Sequence, residues 1–384
     1  MMRALIMSLL AVGLVAPVAA QDAKPRVIAR AAGDAKTGIG NVRLIQSSKG
    51  DLLAFYTVGP TVFVTASKDA GATWTDLVGK RGAAMLSEDA FGGFDVCLGA
   101  TDRVIVAVAT RNTIKLRTLT RTDAGWVLSG AKKLDAALRV REPSVCRDTQ
   151  GDVWVGYWFG GHEGMQGIRV SRTSSGERFG ERTGRYNIAW GFFSSVQQLA
   201  AQRGRPMIFY SGGTPWESVQ LYWSTFNGKQ WHLPRIGLGA CMRSPGTFTV
   251  LIDDSDSLIL AWRTFPGQQH VRLRRRDASG KWDAEATDLD GAGRFSRPAL
   301  VTDGRRTWVL HGRTASDELV VTPLTAKGVG KRVVVKSPLA SVALVSPGRI
   351  APDARAVPVV WTSTPGRKPP AKELYFATVD LGGR

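Results

Sequence analysis

Residues 67–74 read Ser67-Lys68-Asp69-Ala70-Gly71-Ala72-Thr73-Trp74, with a serine, an aspartate, a glycine and a tryptophan at fixed offsets. An aspartate so placed accepts backbone N–H groups within a tight turn, the glycine supplies a positive φ, and the tryptophan packs across the hairpin. Just before the turn lies an alternating strand, residues 61–67 (TVFVTAS), and before that a short apolar strand, LLAFY, ending at Tyr56. Strand, strand and turn together form one unit.

Read outward, the unit recurs along the chain. The apolar strand returns as VIVAV ending at Val108, VWVGY at Tyr157, MIFY at Tyr210, LILAW at Trp262, TWVLH at His311 and VPVVW at Trp361. The copies are about 51 residues apart, a period that marks a repeat architecture. Each is followed by a second strand: TIKLRTLT, GIRVSRT, VQLYWST, VRLRRR, ELVVTPL and ELYFATV. The turn also returns in partial form. Ser224, Gly228 and Trp231 keep three of its positions, Asp277 and Trp282 keep two, and Thr378-Val379-Asp380 opens it again. Looser versions lie at 122–126 and 171–179.

This turn resembles the Asp box, or bacterial neuraminidase repeat, of sialidases and related secreted propellers, and the repeat covers nearly all of the chain after residue 20. The resemblance implies an all-β fold, a β-propeller in which each repeat is a four-stranded blade that buries its faces against its neighbours. Seven blades are expected, with six, the usual sialidase number, as the alternative. Phe94–Leu98 reads as one of the inner strands, and residues 24–31 (KPRVIARA) as the strand that completes the seventh blade and closes the ring. The boxes belong on the bottom of the ring as structural turns.

Composition agrees with this class and excludes others. The chain has 384 residues, 43% of them hydrophobic, with 43 glycines and 12 tryptophans, which argues against a disordered or helical protein. Residues 1–20 read as a secretory signal peptide: Arg3, a 13-residue apolar run at 4–16, then Pro17 and Val18-Ala19-Ala20 before Gln21. The expectation is a single propeller domain over residues 21–384, exported to a periplasm or beyond, monomeric and without a membrane span. Three cysteines, Cys97, Cys146 and Cys241, form no disulfide framework and read as free thiols. No spaced cluster suggests a metal, and no phosphate-binding glycine loop suggests a nucleotide, so no cofactor is expected.

A formal charge of +19 favours acidic partners. For an exported chain this points to an acidic glycan or carboxylated sugar rather than nucleic acid. Arginines recur where inner strands begin: Arg141-Glu142-Pro143, Arg243-Ser244-Pro245 and Arg297-Pro298. If they converge on the axis, they form a fork for a carboxylate. Sialidases hold the sialic acid carboxylate with such a triad, although no R-I-P motif stands near residues 38–43. Acid–base candidates on the same face are Glu88, Asp89, Asp95, Glu142, His162, Glu163, Tyr186, Glu217 and His270. The resemblance suggests Tyr186 as nucleophile and Asp89 as acid/base, with chain order against the former. His162 and Tyr186 beside arginines also suit proton abstraction next to a uronate carboxylate, as in propeller lyases. Trp190 and Trp216 are candidates for stacking on sugar faces. Hydrolysis of a terminal acidic sugar leads. A lyase and a non-catalytic binding or assembly propeller are the alternatives.

Overall fold

A computed structural model describes residues 25–381 except 32–37, 78–83, 88, 101, 161–165, 191–192, 213–218, 236, 242–247, 265–268, 326–327, 338, 340–343, 353 and 363–372. The first strand is β1 (Arg26–Arg30). Blade one holds β2 (Ile39–Gln46), β3 (Leu52–Val58), β4 (Thr61–Ser67), β5 (Thr75–Asp76) and β6 (Ala84–Ser87). Blade two holds β7 (Phe94–Leu98), β8 (Arg103–Ala109), β9 (Thr113–Thr122), β10 (Gly125–Leu128) and β11 (Lys132–Ala136). Blade three is β12 (Arg139–Arg147), β13 (Asp152–Gly160), β14 (Gln166–Ser174) and β15 (Arg182–Trp190). Blade four is β16 (Phe193–Gln202), β17 (Arg205–Gly212) and β18 (Gln220–Thr225), extended by isolated bridges to Arg235 and Ala240. Blade five is β19 (Phe248–Ile252), β20 (Leu258–Arg263), β21 (Gln269–Arg276) and β22 (Thr287–Gly293). Blade six is β23 (Ala299–Thr302), β24 (Thr307–Arg313), β25 (Glu318–Thr325), β26 (Gly328–Val329) and β27 (Val333–Lys336). Blade seven is β28 (Ala356–Thr362), β29 (Glu373–Asp380) and β1, with Val345 bridged to Val360 on the inner side.

The seven antiparallel sheets form a ring, a seven-bladed β-propeller. The repeated apolar strand is the second strand of every blade, and the strand after it is the third. Its continuous hydrophobicity follows from its position. In β8, Val104, Val106 and Val108 pack toward blade one, while Ile105, Ala107 and Ala109 pack toward blade three. A strand covered on both faces has no polar side to show. Seven apolar clusters among the described residues fill the seven blade interfaces in turn. Each buried Val, Leu or Phe in them is worth about 2 kcal/mol, and this burial holds sheet to sheet.

The residue 67–74 turn has the expected internal logic. Asp69 Oδ1 accepts the Thr73 N–H at 2.8 Å, Oδ2 accepts the Thr73 hydroxyl at 2.6 Å, and the Ser67 hydroxyl donates to Oδ1 at 2.7 Å. Those bonds hold the Asp69 carboxyl down at about 2. Gly71 has φ +93°, and a Cβ there would lie 2.1 Å from the Phe376 ring, so glycine is required twice over. Trp74 meets Phe376 edge-on, 5.2 Å between centroids. The turn therefore braces blade one against blade seven, where β1 pairs β29 (Arg26 opposite Phe376, Arg30 opposite Glu373) and closes the ring.

Two interfaces add polar locks. His311 on β24, fully buried, faces Asp290 on β22 at 3.0 Å, and Arg313 grips the same carboxylate through Nε (2.6 Å) and Nη2 (3.0 Å). Burial alone would raise the Asp290 pKa, but these bonds drive it well below the usual range. The counterpart in blade three is Tyr157, whose hydroxyl bonds Asp135 on β11, with Ser171 and Arg182 completing the cluster. The three cysteines are free, and burial raises each thiol.

Candidate functional site

The innermost strands wall an axial cavity of about 320 Å³. Each blade contributes at least one polar residue to its wall: Arg43, Asp95, Ser144, Gln197, Thr249, Arg297 and Ser346. Inner strands are sheet edges, and their outward N–H and C=O groups need partners. Side chains of neighbouring blades supply them. Asp95 Oδ2 accepts the Val145 N–H at 2.9 Å, Ser144 Oγ accepts that of Leu199 at 2.8 Å, and Gln198 Oε1 accepts that of Val250 at 2.9 Å. On the far side, the Ser346 hydroxyl donates to Leu300 O at 2.9 Å.

Two arginines enter this cavity in different circumstances. Arg43 on β2 donates Nε to Asp95 Oδ1 at 2.6 Å and Nη1 to the Val42 carbonyl at 3.0 Å. Arg297, fixed just before β23 by Pro298, is half-buried and has no hydrogen-bond or ion-pair partner among the described residues. Burial pushes its pKa down to about 10, the positive charge of Arg43 adds to the effect, and Asp95 offsets part of it. It still carries its charge at neutral pH, desolvated and beside a like charge.

A second opening of about 530 Å³ lies next to the first, and Asn41, Gly93 and Glu142 line both. Glu142 has φ +46° and Asn41 φ +31°, a conformation that costs about 1 kcal/mol for a non-glycine residue. Phe91 borders the opening and is 66% exposed, a large apolar face turned to solvent.

The sequence-derived site is only partly assembled. Arg297 reaches the axial cavity and Glu142 stands at its rim. Arg141 does not join Arg297: it is exposed on β12, its guanidinium 5.5 Å from the Trp158 ring, and lines the outer opening. Tyr186 is a correction. It sits on β15, the outermost strand of blade three, packed against Trp154, Phe226 and Trp231. Trp190, at the end of the same strand and 53% exposed, meets Phe159 edge-on and lies off the axis. Asp89 is in the lining of neither opening; burial works to raise its pKa, but bonds from Lys115 (2.6 Å) and Ser87 (2.7 Å) outweigh this and lower it. His270 is engaged with Asp288 at 2.6 Å. Arg243, His162, Trp216, Glu88, Glu163 and Glu217 lie outside the described residues. Arg43 was missed. The available signal was a charged residue one repeat before Asp95, in phase with it on an inner strand.

No family model matches the chain, and neither does any curated protein sequence. Solved structures do match. The BP39L lectin from Burkholderia pseudomallei superposes with a TM-score of 0.61 at 14% identity, covering 94% of this chain and 98% of the lectin. A PL25 ulvan lyase bound to -[GlcA(1-4)Rha3S]- gives 0.55 at 12% identity, covering 92% and 95%. The polysaccharide lyase Uly1 gives 0.56 at 10% identity, covering 92% of each chain. At such identities the likeness establishes the propeller and nothing finer.

Proposed function

We propose that this protein is an exported Asp-box propeller that binds the acidic sugar of a glycan at the axial cavity, its carboxylate held between Arg297 and Arg43. The observation that carries the reading is Arg297 itself, a half-buried guanidinium in the wall of the axial cavity, with no hydrogen-bond or ion-pair partner among the described residues and beside a second guanidinium. An anion in the cavity would supply the partner that Arg297 lacks among the described residues. Phe91, next to the cavity, offers a face for the following sugar ring. Two further facts support the substrate class: the net charge of the chain, and a structural neighbour bound to a glucuronate-containing saccharide.

Binding is favoured over retaining hydrolysis. Sialidase chemistry needs a tyrosine activated by a carboxylate, and among the described residues no tyrosine lines the axial cavity. The test is Arg297→Gln, with calorimetric titration of glucuronate- and sialate-terminated oligosaccharides against neutral counterparts. Wild-type protein should prefer the acidic ligands. The variant should lose roughly 10- to 100-fold in affinity for them, the worth of a hydrogen bond to a charged group, with an unchanged or raised melting temperature. Equal affinity of the two proteins for acidic sugars would refute the proposal.

A further inference from the structure

The face opposite the axial opening carries a basic cavity of its own, about 400 Å³, between blades four and five. Its walls come from the turn joining β16 to β17 and from the two imperfect copies of the serine–aspartate turn, after β18 and after β21. Gln202, Arg203, Arg205, His232 and Arg276 are among the residues that line it.

The local sequence explains why positive charge collects there. Blade five has Arg275-Arg276-Asp277 where blade one has Ser67-Lys68-Asp69. Lys68 is exposed, whereas Arg276 is half-buried and bends into the gap between blades. Its Nη1 bonds Gln202 Oε1, its guanidinium lies 5.7 Å from the Trp223 ring, and its Nε is buried without a partner. Arg235 lies against the same ring at 5.4 Å. Gly280 has φ +92°, and a Cβ there would come within 2.8 Å of Arg276 Nη2, so the backbone gives way to the guanidinium.

Around Arg276 the charges are not balanced. The Arg203 and Arg205 side chains make no hydrogen bond or ion pair with any described residue, and the Arg203 backbone is held at φ +51° by its N–H bond to Asp256 Oδ1. The nearby carboxylates are in use: Asp256 accepts that N–H, and Asp277 accepts Lys281 N–H and the Ser279 hydroxyl. Burial, reinforced by Arg235 and Arg205 and only partly offset by Asp277 and Asp256, pushes the Arg276 pKa down.

We propose that this cavity is a second anion site, fitted to a tetrahedral oxyanion, a sulfate or phosphate group that is free or carried as an ester. One guanidinium satisfies the two oxygens of a planar carboxylate, whereas the three guanidinium groups of Arg203, Arg205 and Arg276 suit oxygens directed tetrahedrally. The site does not depend on the axial reading and lies on the other end of the ring.

The test uses the full chain carrying Arg297→Gln, so that the axial cavity is silenced. Sodium sulfate, inorganic phosphate and glucose 6-sulfate are titrated by calorimetry at low ionic strength, with sodium chloride at matched ionic strength as the control. Saturable binding of one sulfate or phosphate per chain is expected, with a rise in melting temperature that chloride does not give. Arg205→Ser, and separately Arg203→Ser, should weaken it by about tenfold or more without changing the melting temperature of the unliganded protein. Binding of glucose 6-sulfate as well as the free ions marks a site that reads the group on a larger molecule, and binding of the free ions alone marks an ion site. Chloride acting as well as sulfate, or full affinity in both serine variants, would overturn the proposal.

Discussion

Blade six carries two arginines under opposite electrostatic conditions. Arg313, at the end of β24, has Asp290 on one side and Glu318 on the other, and these bonds raise its pKa. Arg297, just before β23, has no hydrogen-bonded carboxylate among the described residues; burial and the nearby charge of Arg43 lower its pKa, and Asp95 offsets part of this. The first is a fastener: its charge is spent within the fold, tying blade five to blade six. The second has its charge tied to no partner among the described residues. Arginine content and net charge therefore say little about function until each guanidinium is followed to its partners.

The largest way to break this contrast is to remove the partner of the satisfied pair. Asp290→Ala leaves His311 and Arg313 facing each other in a buried interface and should cost about 3 kcal/mol in urea unfolding. A loss below about 1 kcal/mol would mean that water already relieves the lock.

Acid tests the same group more gently. The folded-state pKa of Asp290 lies below that of the unfolded chain, so its stabilisation is complete above the unfolded value near 4 and is lost as pH falls through the folded one. Melting temperature should therefore drop between about pH 4 and pH 2, and Asp290→Asn should make that drop shallower. An identical acid limb in the variant would place the proton uptake elsewhere, for instance at Asp69 or Asp135.

The smallest expected effect sharpens the contrast from the other side. Asp95→Asn removes a negative charge that acts on Arg297 while keeping an oxygen for the Val145 N–H. Binding of a carboxylated sugar should tighten by about threefold to tenfold, with melting temperature lowered by a few degrees at most. Weaker binding would show that Asp95 serves the ligand by holding Arg43 in place.

The fold was legible because its signals are dense and periodic. Tyr56, Tyr157, Tyr210, Trp262 and Trp361 all end or sit within second strands, since a doubly covered strand must be apolar throughout. Residues 24–31 could be read as the closing strand because a seventh blade lacked one. The site was harder. Tyr186 looked free because β15 is an outer strand, exposed at Arg182, Thr183, Arg185 and Asn187, and such an edge reads as loop. Arg141 looked axial because its repeat position matches Arg297, yet β12 begins earlier than β23 and carries Arg141 out to Trp158. Arg43 had no motif around it. Only its phase against Asp95 distinguished it, and spacing cannot tell which of two arginines will find a carboxylate.

The pairing of β1 with β29 bears on how the molecule is made. Arg26 and Phe376 lie about 350 residues apart in the sequence, so their union is the most non-local strand pairing among the described residues and, on entropic grounds, among the slowest to form. Until it forms, Val360, Leu374 and Phe376 lack the cover of Ile28 and Ala29, and blade seven presents a naked edge to any neighbour. β1 is thus made long before its partner β29, and a chain in which the two have not yet met is the state most exposed to association with its own copies.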